Sequence, residues 1–311
     1  MIHEAGKYLR CLFKRVSIAP EEVQIEITNR CNFSCAMCPR DALGVDPVDM
    51  DFSLFERIAA NMGRPRAVVL TGWGEPLLHP RLLDMVSLVK RTSPRARVRL
   101  TTNGFLLEGG LARSLVEAGV HQVSISMEGE SAIGHGANKR VKENSAAFSG
   151  MQPRVPSLGL QAVMVEEEAV VDIVRFALES RMDFVNLVRV DRTMDESLPK
   201  METARERALV RRCRRIASGS GTDIRSANFQ SLAVRLAGHF DRYCLRTDSY
   251  VYVDVEGNVS PCCLMRSFRC GNLVERPIRE IWRGERFGRF RKTFPAGLCR
   301  KCDMVKYNQV L

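Results

Sequence analysis

The chain has 311 residues, of which 45% are hydrophobic and 27% charged, an ordinary balance for a globular protein. That excludes a wholly disordered chain, a collagen-like repeat and a coiled coil, and the length suits one large domain beside a small one. The formal charge is +11, and most of the eleven cysteines are crowded toward two ends of the chain. No stretch approaches the ~18 apolar residues that span a bilayer; the longest candidate, 158–165, is interrupted by Gln161. The start of the chain lacks the basic–apolar–small order of a secretory signal. A cytoplasmic location is therefore expected, where thiols stay reduced and an odd, clustered set of them argues for metal ligation.

Residues 1–20 read as an N-terminal extension. Residues 22–28 alternate polar and apolar, which predicts a strand. Directly behind it come Cys31, Cys35 and Cys38 on one short loop. Three soft thiolates so close together suit an iron–sulfur cluster or zinc. Three ligands on a four-iron cluster would leave one iron open to a reacting molecule. A second strand over 67–71 runs into Gly72-Trp73-Gly74-Glu75-Pro76 and a helix over 80–91. A strand over 97–101 leads to Thr102-Asn103-Gly104 and a helix to about 118. The strand over 120–126 ends in Met127-Glu128-Gly129, and the Gly-, Asn-, Ser- and Pro-containing segment 134–157 reads as a variable loop near the pocket. Strands over 158–165 and 184–190 precede helices over 167–180 and 201–217. Six strand–helix units in succession predict an α/β fold with a parallel sheet and covering helices. The chemistry should then sit at the C-terminal ends of the strands, where the cysteine loop, the Gly72 loop, Asn103 and Ser126 all fall.

After a predicted linker over 221–240, residues 241–311 carry a second cysteine set. Cys244 is followed by Gly257 and Cys262, and Cys299 and Cys302 form a Cys-x2-Cys pair. The alternating segment 250–262, with Glu-Gly-Asn at its middle, predicts a β-hairpin. Cys263 is the alternative to its neighbour Cys262. Cys11, Cys213 and Cys270 remain, and Cys270 stands near where a substrate pocket should open.

The Cys-x3-Cys-x2-Cys triplet after a first strand resembles that of the radical S-adenosylmethionine (SAM) superfamily. The resemblance implies a partial (β/α)6 TIM-type barrel over 21–220 and a [4Fe–4S] cluster on Cys31, Cys35 and Cys38. SAM would fill the fourth iron site and be cleaved reductively to a 5′-deoxyadenosyl radical that takes hydrogen from the substrate. Residues 72–75 resemble the family's Gly-Gly-Glu motif, whose backbone holds the SAM amino group, with Trp73 in place of glycine. Trp73, Gly74 and Glu75 are thus expected at the cofactor, Trp73 through its backbone only. The family's pattern also places Asn103 and Ser126 at the ribose or carboxylate and Met37 against adenine. The C-terminal segment resembles the SPASM module and its shorter twitch relative. With Asn308 where a further cysteine would stand, it implies one auxiliary [4Fe–4S] cluster on Cys244, Cys262, Cys299 and Cys302, hence two clusters in all. Taken alone, the triplet also fits a zinc knuckle, the Gly72 loop a tight turn, Asn103 and Ser126 helix caps, and the module a zinc ribbon.

Positive charge is concentrated late, at 211–215 and in the five basic residues of 283–292, interleaved with Phe287 and Phe290. A helix with solvated charges and core-facing rings is favoured over a nucleic-acid surface. The same charge would steer an acidic electron donor such as a flavodoxin or ferredoxin. The expected activity is oxidation of a small molecule or peptide, with the substrate electron passed to the auxiliary cluster. The short N-terminal extension tilts the expectation toward a small molecule. Epimerisation with Cys270 or Cys263 as hydrogen-atom donor is the alternative, and a zinc-stabilised nucleic-acid-binding protein the remote one. No membrane partner is expected.

Overall fold

The computed structural model describes residues 17–40, 43–44, 46–129, 137–226, 244, 246–294 and 297–302. Cys11, Asn308, and most of the expected extension and linker lie outside the described residues. Seven parallel strands stand side by side in chain order: β1 (Glu22–Ile25), β2 (Ala67–Val69), β3 (Arg97–Thr102), β4 (Gln122–Ser126), β5 (Ser157–Val163), β6 (Phe184–Val188) and β7 (Asp223–Ser226). Their inner residues, among them Val23, Ile25, Val68, Val98, Val123, Leu158 and Val185, are wholly buried. Such β-branched and leucine runs suit strands covered on both faces.

Helices α1 (Phe52–Asn61), α2 (Leu82–Thr92), α3 (Gly109–Glu117), α4 (Ala137–Gly150), α5 (Glu167–Glu179) and α6 (Thr203–Ile216) fill the crossovers. Helix α5 opens with Glu167 and Glu168, which complement its N-terminal dipole, and buries Val170, Val171, Val174 and Ala177 on one stripe. Cys213 is buried on the inner face of α6.

Three features differ from the sequence expectation. The segment expected as a variable loop is helical over Ala137–Gly150, because its Gly and Pro residues lie toward its ends while Val141 and Phe148 are buried seven residues apart. Helix α1, capped by the Asp51 side chain accepting from the Ser53 and Leu54 amides, was not foreseen. Nor was the seventh parallel strand, β7.

The C-terminal hairpin extends the same sheet. β8 (Tyr250–Val253) pairs in parallel with β1, β9 (Asn258–Ser260) pairs antiparallel with β8, and β10 (Gly271–Asn272) with β9. The order is β10-β9-β8-β1-β2-β3-β4-β5-β6-β7, so the barrel is open between its two edge strands. The hairpin turns at Gly257 (φ +84°), a left-handed position that suits glycine. Asp254 Oδ1 accepts from the Glu256 and Asn258 amides at 3.0 and 2.9 Å and holds that turn. After the hairpin, α7 being the short turn Arg246–Ser249 before β8, come α8 (Ile278–Arg283) and α9 (Glu285–Thr293). Phe287 and Phe290 of α9 face the core, as expected for the basic segment.

Candidate functional site: two sets of thiols around one rim

The loop after β1 carries Cys31, Cys35 and Cys38, all half-buried. The Cys38 amide donates to the Cys35 carbonyl at 3.0 Å, closing the turn on which Met37 sits, and the Phe33 amide donates to Cys31 Sγ at 3.4 Å. Burial pushes the Cys35 thiol up to about 11, reinforced by the charges of Cys38 and Cys31, and burial also raises Cys31. Three thiols that repel one another's ionisation are a natural seat for a cation, whose charge replaces the protons.

The Gly72 loop seats directly on the cysteine loop. A Cβ on Gly74 would lie 2.5 Å from the carbonyl oxygens of Thr28 and Arg30, so only glycine fits. The Glu75 amide donates to the Arg30 carbonyl at 2.8 Å. The Glu75 carboxylate, 2% exposed, accepts from the Leu77 amide (3.0 Å), Thr102 Oγ1 (2.6 Å) and the Asn103 amide (2.7 Å). Burial raises its pKa against the pull of those three donors. Asn103 Nδ2 in turn donates to Asn32 Oδ1 of the cysteine loop at 2.8 Å. Glu75 and Asn103 thus spend their side chains on binding three loops together. Ser126 ends β4 at the same rim. Glu128, two residues on, accepts from the Val163 amide at 3.1 Å and is pushed up to about 8 by burial. Its charge reaches Cys35, so it belongs to the same rim.

Trp73 joins this rim to the C-terminal segment. Its amide donates to Glu26 Oε1 at 3.0 Å, and its indole Nε1 donates to the Cys263 carbonyl at 3.3 Å. Glu26 is wholly buried, and its other oxygen pairs with Arg266, which also donates to Tyr252 Oη at 3.0 Å. The residue that departs from the family pattern is thus held at both ends.

Cys244, Cys262, Cys299 and Cys302 line one cavity, with Arg246 and with apolar walls that include Leu264, Met265 and Phe290. Cys263 is absent from that lining. Burial pushes Cys244 and Cys299 up to about 12. Cys262 is instead lowered, first by a hydrogen bond with the Cys263 thiol. Among the described residues no three Cys, His, Asp or Glu side chains close on a single metal ion. A second cavity, of about 450 Å³, lies between the limbs that enter and leave the cysteine loop (Asn29, Val48), the loop after β6 (Met194) and the hairpin region (Asp254, Arg266). Leu264 lines both cavities. Cys270 lines neither. It is 6% exposed, packed in the core, and burial pushes its thiol up to about 12.

Glu26, Arg266, Arg246 and Glu128 were not singled out in the sequence. Glu26 alternates with buried Ile25 and Ile27 and so reads as a solvent-facing residue. In a barrel the same face is the lumen, and period-two patterning cannot tell the two apart.

Comparison with known proteins agrees with this geometry. The family model of the radical SAM superfamily matches residues 25–148, and that of the iron–sulfur cluster-binding SPASM domain matches residues 244–303. The chain belongs to the radical SAM superfamily and carries a C-terminal SPASM domain, and its cofactors are SAM and [4Fe–4S] clusters. It is 25% identical, over 90% of its own length and 86% of the relative's, to the tungsten-containing aldehyde ferredoxin oxidoreductase cofactor-modifying protein of Pyrococcus furiosus. It is 33% identical to the GTP 3′,8-cyclase of Microcystis aeruginosa, over 51% of this chain and 53% of that one, so it spans about half of the cyclase. Among solved structures, Streptococcus suis SuiB bound to precursor peptide SuiA superposes with a TM-score of 0.73 at 16% identity, covering 98% of this chain and 74% of that one. Among the described residues no helix is long and apolar enough to cross a membrane.

Proposed function

We propose that the protein is a radical SAM oxidoreductase in which Cys31, Cys35 and Cys38 hold the SAM-binding cluster and Cys244, Cys262, Cys299 and Cys302 hold one auxiliary [4Fe–4S] cluster. The observation that carries this reading is the pairing of the two thiol sets on one open barrel. One set leaves a cluster corner free for SAM, the other supplies four ligands, and the cavity of about 450 Å³ lies between the segments that bear them. The donor sets fit such groups, since thiolates are the usual ligands of iron–sulfur clusters. When bound, the clusters and SAM supply a carbon-centred radical, a hydrogen abstraction and a sink for the electron left on the substrate.

The chain's own residues orient and enclose. Gly74 brings the glycine loop against the cysteine loop, and Glu75, by gripping the Leu77 and Asn103 amides, fixes its backbone for contact with SAM. Ser126 offers a hydroxyl at the same rim. The Glu26–Arg266–Tyr252 group ties the hairpin region to the end of β1, and Arg266 also walls the cavity. Exclusion of water by bound substrate in this cavity would limit quenching of a radical. The substrate is a small molecule or a peptide, and the positive chain attracts an acidic flavodoxin or ferredoxin as electron donor.

Anaerobic purification with iron and sulfide counted, then a dithionite assay for 5′-deoxyadenosine, tests this reading. About eight irons per chain are expected from two four-iron clusters. Cys31→Ala abolishes SAM cleavage, whereas Cys299→Ala retains cleavage and loses substrate oxidation. Tetrahedral zinc in place of iron, or cleavage that survives Cys31→Ala, contradicts the reading. In deuterium oxide the oxidised product carries no solvent label at the abstracted carbon, whereas epimerisation would leave one.

A further inference from the structure

The auxiliary cavity holds a cation that no ligand role accounts for. Arg246, two residues after Cys244, places Nη1 3.6 Å from Cys262 Sγ and 3.3 Å from Cys263 Sγ. It lines the same cavity as the four cysteines. The guanidinium is not there by chance of a loose side chain, because it lies over the Tyr250 ring, 4.9 Å from its centroid. Tyr250 is itself buried and anchored, its hydroxyl bonded to Gln24 Oε1 of β1. Gln24 Nε2 continues to the Thr71 carbonyl at 2.7 Å. A chain of contacts therefore runs from the sheet to the charge beside the sulfurs. Apart from Thr193, Arg246 and the thiols, the cavity wall is apolar: Pro261, Leu264, Met265, Phe290, Phe294 and Leu298.

We infer that Arg246 is a positioning residue for electron transfer: it donates hydrogen bonds to the sulfur of Cys262 and thereby raises the reduction potential of the auxiliary cluster, poising that cluster to accept an electron rather than to donate one. This rests on the assignment of Cys244, Cys262, Cys299 and Cys302 to an auxiliary cluster. The physical ground is general. Reduction adds one negative charge to a cluster, and donors to its sulfurs, together with nearby positive charge, favour the reduced form. The apolar walls strengthen the effect on the side of the sulfurs, while Arg246 keeps its other side exposed to water, which moderates it. Charge-assisted hydrogen bonds are also about twice as strong as neutral ones. Cys263 finds a second purpose here. Its thiol shares the same guanidinium nitrogen and helps fix its direction, while its carbonyl holds Trp73.

The test is a potentiometric titration of the anaerobically reconstituted full chain, followed by electron paramagnetic resonance of the reduced auxiliary cluster, for wild type, Arg246→Lys, Arg246→Gln and the control Arg279→Gln. Arg279 is an exposed residue of α8 outside the cavity lining, so its loss changes net charge without touching the sulfurs. Arg246→Gln is expected to lower the reduced-to-oxidised ratio at a fixed potential about tenfold, which is 59 mV for a one-electron couple. Arg246→Lys should fall between, since it keeps charge but loses the planar fork. Arg279→Gln should match wild type. Full iron content in Arg246→Gln with an unchanged midpoint overturns the inference, as does an equal shift in Arg279→Gln. Should Arg246→Gln assemble no second cluster, Arg246→Lys decides: a lowered midpoint supports the inference and an unchanged one overturns it. A wild-type protein with only four irons would instead remove the auxiliary-cluster reading, and the two failures are told apart by the iron count.

Discussion

At Gly74 a single hydrogen in place of a methyl group decides how the site is built. A Cβ there meets two backbone carbonyls and the Asn29 Cα, none of which can swing aside like a side-chain tip. Gly74→Ala is therefore expected to push the glycine loop off the cysteine loop at a cost of about 1–3 kcal/mol, the usual range for overpacking. Thermal unfolding would show the destabilisation, and a binding titration would show weakened SAM. An unchanged melting temperature would mean the two loops do not rest on each other. Glu75 is a comparable case. Glu75→Gln keeps the shape but sets an amide NH2 against hydrogen-bond donors, so one of three bonds is lost. The expected loss is about 1–3 kcal/mol, seen by denaturant titration. Asp183 gives the pH prediction. Its carboxylate pairs with Arg154 at 2.6 and 2.7 Å, and that side-chain bond holds its pKa below the ordinary carboxylate value. A depressed folded pKa stabilises above the unfolded value of about 4 and is lost as pH falls through the lower folded value. Asp183→Asn should accordingly flatten the acid limb of the stability–pH curve and leave its alkaline limb in place.

Between elements, the informative junction is β8 on β1. The alternating pattern of 250–262 made the hairpin legible, and its turn stands at Gly257 as expected. The strand-pairing partner was not legible, because the pairing depends on residues more than 200 positions apart and no local pattern encodes it. Helix α1 was missed for the opposite reason. Its cap and its Phe55–Ile58–Ala59 stripe are local signals, yet ten residues are too few to stand out beside the cysteine loop. The cysteine ligand candidates were legible because thiols at fixed spacing carry chemistry in the chain order itself. Glu26 and Arg266 were not, because they meet only in the fold. Arg266→Met should leave the wholly buried Glu26 carboxylate without its cation, at a cost of about 3–5 kcal/mol. A double-mutant cycle with Glu26→Gln should recover much of that loss. Strict additivity of the two substitutions would show that the pair does not interact. Trp73→Phe removes the indole donor to Cys263 together with the packing of its second ring. It should cost about 1 kcal/mol while leaving the cluster ligands intact.

At the scale of the whole molecule, the loop bearing Cys31, Cys35 and Cys38 leaves β1, and the hairpin that leads to Cys262 extends the same sheet through β8, so these two segments share a frame. The net charge of +11 predicts that association with an acidic electron donor slows as ionic strength rises. Stopped-flow reduction by flavodoxin at increasing salt would show this, and a salt-independent rate would contradict it. In the proposed arrangement one cluster has an open iron and the other does not. The most direct measurement is electron paramagnetic resonance of the dithionite-reduced, two-cluster protein before and after SAM is added. One of the two cluster signals is expected to change, Cys31→Ala to remove the responsive signal, and the other signal to stay untouched. Two signals that both ignore SAM, or both respond to it, would contradict the account.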